Sequence, residues 1–354
     1  MIIIIYIFRM DILIYNNKMK IFLLLALIIP FFGWSQENFT FNHDGIEREY
    51  ILYAPDDLQA DAPLVFVGHG YGGNAQGMMN SCDMNSLADS EGFMVCYPEG
   101  TLDNNGNHFW NVGYNFHQNE TVDDVGFLVS LANYLKENYD LSSTLTFATG
   151  MSNGGELCYL LACEASTTFR AVASVAGGIW YNYLEQNPCL PSPPIPIFIK
   201  HGTNDNVTYY EGDLNDMYWG PYLSVDSVLN IQLLNLMLND VAIDTLENIN
   251  NNQRVTIRYK YSSANNYKEV WLYKYVNGGH SWNSDDYSIE EEIWDFFMQM
   301  SEEESEPLSI IENYNDQELI QIIDVLGRQS SVKKNKLLLY LYKDGTLEKK
   351  IIIK

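Results

Sequence analysis

The 354-residue chain exceeds the usual length of one domain, so a large domain with an appendage is expected and the core is not limited by size. At 47% hydrophobic, 14% aromatic and 19% charged residues it has the apolar content that disordered chains lack. The formal charge of −26 argues against nucleic acid or an anionic membrane as partner, and five cysteines without a Cys-x-x-Cys pair make neither a disulfide scaffold nor a structural zinc site.

In chain order, Met19 and Lys20 precede an unbroken apolar run from Ile21 to Phe32, followed by Gly33-Trp34-Ser35 with small residues at both cleavage positions. That reads as a secretory signal peptide, with the mature chain starting at Gln36. The run is shorter than the ~20 apolar residues of a bilayer span, so no stable membrane insertion is expected. Residues 1–18, interrupted by Arg9 and Asp11, suit neither a longer signal nor an anchor, and Met19 is read as the true start.

A hairpin follows, Phe39 to Phe41 and Arg48 to Tyr53 about a turn at Asp44-Gly45. Short continuous apolar runs then recur at Leu64–Val67, Phe93–Tyr97, Leu145–Ala148, Ala171–Val175, Ile195–Ile199 and Val270–Val276, as strands buried on both faces would. Between them Val125–Tyr139 and Leu157–Ala165 have helical spacing, and Ser224 is placed to cap a helix through Val225, Val228, Leu229 and Leu233. The alternation predicts an α/β domain over 36–300, a mostly parallel sheet flanked by helices. Residues 301–306 are an acidic linker. The charge balance changes there: residues 36–306 hold 9 basic and 39 acidic residues, whereas 307–354 hold eight and six. The tail reads as a small β-domain with strands at Leu319–Val325, Lys336–Tyr342 and Lys349–Ile353 and a turn at Lys343-Asp344-Gly345-Thr346.

The chemistry gathers at strand ends. Gly150-Met151-Ser152-Asn153-Gly154-Gly155, between a strand and a helix, is a G-x-S-x-G nucleophile elbow. A serine hydroxyl needs a base and an orienting carboxylate, and both follow in the order Ser, Asp, His: Asp205 just past the Ile195–Ile199 run, His280 just past Val270–Val276. His69-Gly70-Tyr71-Gly72-Gly73 follows the Leu64–Val67 run, where a backbone donor to a tetrahedral oxyanion belongs, and the amides of Tyr71 and Asn153 are the candidates. No metal or cofactor is expected. Trp110, Trp219 and Trp282, with the cluster Met217 to Tyr222, are candidates to stack on a sugar or phenolic acyl group, with core or lid packing as the alternative.

These residues, together with Gly92 to Pro98, Trp110-Asn111, Val122 to Phe127 and Leu161-Ala162-Cys163-Glu164, resemble the secreted polyhydroxybutyrate depolymerase-like and feruloyl esterase-like α/β hydrolases over residues 36 to about 300. The resemblance implies the α/β-hydrolase fold and carboxylic ester hydrolysis through an acyl-enzyme, with Ser152, Asp205 and His280 as triad. It also implies a disulfide between Cys163 and Cys189, which export permits, and leaves Cys82 and Cys96 as a second pair or as buried thiols. Asn283-Ser284 departs from the Pro-Gly frequent in the family after Trp282. The tail, through Ile323 to Arg328 and Leu341 to Gly345, resembles the C-terminal sorting domain of type IX secretion, implying the secretion machinery as partner and an extracellular or cell-surface location. The expected substrate is a polymeric or small ester; the alternatives are a prolyl oligopeptidase-type serine peptidase and a non-catalytic polymer-binding protein on a hydrolase scaffold.

Overall fold

The computed structural model describes residues 37–187, 189, 191, 193–247, 250, 253–264, 266–284, 286–301, 319–324, 330–332, 337–342 and 347–351. The leader, its cleavage position, residues 302–306 of the acidic linker and the turn at 343–346 lie outside them.

The hairpin is present as β1 (Glu37–His43) and β2 (Ile46–Tyr53), turning through Asp44 and Gly45, both at positive φ. Then come β3 (Ala62–Gly68), α1 (Ala75–Ser81), α2 (Met84–Glu91), β4 (Met94–Pro98) and a two-residue ribbon of β5 (Thr101–Leu102) with β6 (His108–Phe109). They lead to α3 (Asp124–Tyr139), β7 (Leu141–Met151), α4 (Asn153–Glu164), β8 (Ala171–Val175), α5 (Tyr181–Gln186) and β9 (Ile197–Gly202). The series ends with α6 (Val225–Leu236), β10 (Asp240–Thr245), β11 (Val255–Ser263), β12 (Asn266–Val276) and α7 (Ile289–Gln299).

Among the described residues one sheet has the order β1-β2-β4-β3-β7-β8-β9-β12-β11-β10. The stretch from β4 to β12 is parallel throughout, and antiparallel strands close both edges. Successive side chains on the central strands alternate between two apolar layers, as the two-residue period of a strand requires. Leu64, Phe66, Val172, Ile197, Ile199, Val270 and Leu272 join the layer of α3, α4 and α6, while Val65, Val67, Ala173, Phe198, Trp271 and Tyr273 join that of α1, α2 and α7. Each fully buried Leu, Ile or Phe contributes roughly 1.5–3 kcal/mol, so this two-sided burial stabilises the sheet that carries the strand ends.

Several boundaries move for identifiable reasons. β9 starts at Ile197 because Pro194 and Pro196 offer no N–H to a ladder. The short helices α1 and α2 have weak periodicity, and α1 depends on Asn74, whose side chain accepts from the Gly77 amide. Ser224 caps α6. The polar stretch after it, hardest to read as sequence, forms the β10–β11 edge. Cys163 and Cys189 are bonded, Cα atoms 4.8 Å apart. Cys82 and Cys96 are not a second bridge: both are free, buried thiols in the apolar layers, Cys82 near the Tyr97 hydroxyl. In the tail, β13 (Leu319–Asp324), β14 (Leu337–Tyr342) and β15 (Leu347–Ile351) pair antiparallel, with Leu338 and Tyr340 buried against Ile322.

Candidate active site

Ser152 stands between β7 and α4 at φ 55° and ψ −119°, a conformation that costs a non-glycine residue about 1–3 kcal/mol. Close backbone packing holds it there. A Cβ on Gly154 would lie 2.3 Å from the Gly68 carbonyl oxygen, and one on Gly150 would lie 2.6 Å from the Gly154 carbonyl carbon, so side chains are excluded at both. The Ser152 amide donates to the Val175 carbonyl at 2.8 Å, tying the elbow to β8.

The carboxylate and the imidazole come from the ends of β9 and β12, which are parallel neighbours. Asn204 N donates to Gly278 O at 2.8 Å and Asn277 N to Thr203 Oγ1 at 2.9 Å, locking the two loops together. His280 Nδ1 donates to Asp205 Oδ2 at 2.8 Å, which leaves Nε2 for proton transfer. The other carboxylate oxygen accepts from the amides of Val207 (2.8 Å) and Thr208 (2.9 Å). Burial alone would raise the Asp205 carboxyl, but the bond from His280, the Val207 amide and the nearby His201 outweigh it and hold the group below the usual carboxylate value. Beside it, His201 donates from Nε2 to Thr208 O at 2.7 Å; burial pushes its pKa down, against the pull of Thr208 and Asp205.

The turn His69 to Gly73 lies against Ser152, since a Cβ on Gly70 would sit 3.9 Å from Ser152 Oγ. The amides of Gly72 and Gly73 are engaged by His108 O and Gly70 O. Asn153 opens α4, where first-turn amides have no intrahelical acceptor and the helix dipole favours negative charge.

Trp110 and Trp282 do not form a substrate surface, correcting the expectation. Trp110 is completely buried: its indole donates to His69 O at 2.9 Å, while its backbone exchanges hydrogen bonds with the Asn153 side chain at 2.7 and 3.1 Å. It ties the His69 turn to the start of α4. Trp282 is buried in the α7 layer and donates to Glu290 at 2.6 Å. Only Trp219 stands partly open, edge-on to Tyr71 at 5.3 Å between ring centres, next to Tyr218, which is 66% exposed, and Met217, 88% exposed.

Two polar groups at the site escaped the sequence reading. Glu156, one turn into α4, is buried, accepts from Tyr114 Oη at 2.6 Å, and is pushed by that burial up to about 7. Its signal was a carboxylate inside the otherwise apolar elbow helix. Lys200, buried at the end of β9, was a charge closing an apolar run. A polar cavity of about 560 Å³ lined by Tyr114, His117, Asp124 and Tyr183 includes none of Ser152, Asp205 or His280.

Residues 48–184 match the family model Esterase PHB depolymerase. Over 173 residues the chain is 30% identical to a probable feruloyl esterase C of Aspergillus niger, covering 47% of this chain and 57% of that protein. It is 27% identical over 167 residues to a bifunctional acetylxylan esterase/xylanase of Neocallimastix patriciarum, covering 47% and 23%. The chain thus spans less than two thirds of the length of these curated relatives. Among solved structures, an acetyl xylan esterase from Aspergillus awamori superposes with a TM-score of 0.53 at 14% identity, over 75% of this chain and 99% of that one. The fold is the α/β-hydrolase fold, and the resemblance to polyhydroxybutyrate depolymerase-like and feruloyl esterase-like hydrolases is borne out for this domain.

Proposed function

We propose that residues 36–300 are a serine carboxylic-ester hydrolase with Ser152 as nucleophile, His280 as base and Asp205 as its orienting carboxylate. His280 Nε2 takes the Ser152 proton as Oγ attacks the acyl carbon. The oxyanion of the tetrahedral intermediate is received by the amides of Tyr71 and Asn153, each worth ~3 kcal/mol in the transition state. Collapse breaks the ester C–O bond, and the alcohol leaves with the proton from His280. Water, deprotonated by the same nitrogen, then frees the acid and restores Ser152. The observation that carries this reading is the 2.8 Å His280–Asp205 bond at the ends of neighbouring strands, in a fold whose elbow presents a strained serine.

The substrate class we infer is an ester on a polymer or its side groups: feruloyl or acetyl esters of plant or algal polysaccharide, or a polyhydroxyalkanoate. The names of the relatives and the exposed Met217–Tyr218 ledge beside Trp219 support it. Export through the leader and type IX sorting through residues 307–354 complete the proposal; among the described residues no helix is long and apolar enough to cross a membrane. Release from p-nitrophenyl acetate, methyl ferulate, acetylated xylan and polyhydroxybutyrate, with Ser152→Ala as control, tests it. Ester turnover lost in the variant is expected. Turnover retained by Ser152→Ala, or of peptides and not of aryl esters, would refute the assignment.

A further inference from the structure

Lys200 lies in β9 on the same side of the sheet as Phe198, facing the layer of α7, and is 1% exposed. Its Nζ donates to three consecutive carbonyl oxygens, those of Ser281 (2.6 Å), Trp282 (2.9 Å) and Asn283 (3.1 Å). Consecutive carbonyls of an extended chain point in alternating directions, so three can converge on one point only where the backbone wraps around it. An ammonium supplies three donors from a single atom, and its charge strengthens each bond. The wrapped segment begins immediately after His280. The other arm of this loop is held by the bonds from Asn204 and to Thr203, from the same strand end as Lys200.

We propose that Lys200 is a positioning residue: its buried ammonium sets the path of residues 281–283 and thereby aims the His280 ring at Ser152. The proposal rests on the reading of Ser152, His280 and Asp205 as a triad. A neutral side chain of the same length leaves the carbonyls of Ser281 and Trp282 without their Lys200 donor and Asn283 O with the Ser281 hydroxyl alone, so the segment unwraps toward water and the imidazole loses its aim. Ester binding to the open side of the cleft is untouched, so the loss falls on kcat and not on KM.

The test uses the full chain with Lys200→Met, which fills the space without donors, and Lys200→Gln, which keeps two N–H groups. Folding is followed by circular dichroism and the active fraction by the p-nitrophenol burst. In Lys200→Met, kcat on p-nitrophenyl acetate is expected to fall about a hundredfold, the scale of a 1 Å misplacement, with KM within about twofold and Lys200→Gln intermediate. In a His280→Ala background the same substitution should change the residual rate by less than about twofold, because Lys200 acts through His280. A folded Lys200→Met with parental kcat, or an equal loss without His280, would overturn the proposal. If that variant does not fold, Lys200→Gln decides by the same criteria. Failure of both to fold also overturns it, since the ammonium would then serve the fold alone. Ser152→Ala separates the two readings: its retained activity removes the triad, whereas a dead Ser152→Ala with parental Lys200 variants removes only this inference.

Discussion

Asp205→Asn isolates the electrostatic role of the carboxylate from its structural one. Its two oxygens have separate duties, Oδ1 accepting from the amides of Val207 and Thr208 and Oδ2 from His280 Nδ1. A carboxamide has one acceptor oxygen, and that oxygen must stay on the two amides, because flipping it sets an NH₂ against two N–H donors. The flip forfeits two hydrogen bonds of about 1 kcal/mol each and leaves buried donors unpaired. The NH₂ therefore faces His280 and forces Nδ1 to accept, which moves the ring proton to Nε2 and removes the base of the proposed triad. Removing the negative charge beside the imidazolium adds to the loss. A serine hydrolase given this substitution elsewhere loses about 10⁴ in kcat, or about 5.5 kcal/mol, and the same is expected here. Steady-state hydrolysis of p-nitrophenyl acetate near pH 7 measures it, with urea unfolding as the control for the intact Val207 and Thr208 bonds. A loss below about tenfold in a folded variant would refute the reasoning.

Gly154→Ala drives a methyl group to 2.3 Å from a backbone oxygen that cannot retreat, so it should cost about 3 kcal/mol or more in urea unfolding; an unchanged midpoint would contradict the packing described. Glu156 has a raised pKa, so the native state holds its proton more tightly than the unfolded chain. Its contribution is complete below the ordinary glutamate value of 4.5 and is lost as pH rises through about 7, at about 1.4 kcal/mol per pH unit across that window. Glu156→Gln should accordingly lose less stability than the parent between pH 5 and pH 8, and equal losses would count against a buried, protonated Glu156. Deleting residues 307–354 should leave kcat and KM unchanged and strand the protein in the periplasm of a host with type IX secretion; normal appearance of the truncated chain in the medium would defeat the sorting proposal.

The sequence by itself determined the parallel centre of the sheet, because strands buried on both faces are unbroken apolar runs, but not its β10–β11 edge, which is polar; and it put the proposed Ser152, Asp205 and His280 in an elbow and two strand-end loops, because such turns need glycines and polar residues at fixed places in the chain. Boundaries that depended on a ladder partner or a cap, such as the start of β9 and the helix α1, were less legible. What only the tertiary structure decided is which polar and aromatic groups face the site. A tryptophan reads alike in a wall or in a core, so Trp110 and Trp282 resembled substrate contacts until their burial turned them into braces for the His69 turn and the loop of His280. Lys200 and Glu156 have partners far away in the chain or on another element, at Ser281 to Asn283 and at Tyr114. Periodicity reports only how a residue faces its own strand or helix; which distant group meets it is set by how the sheet brings strand ends together.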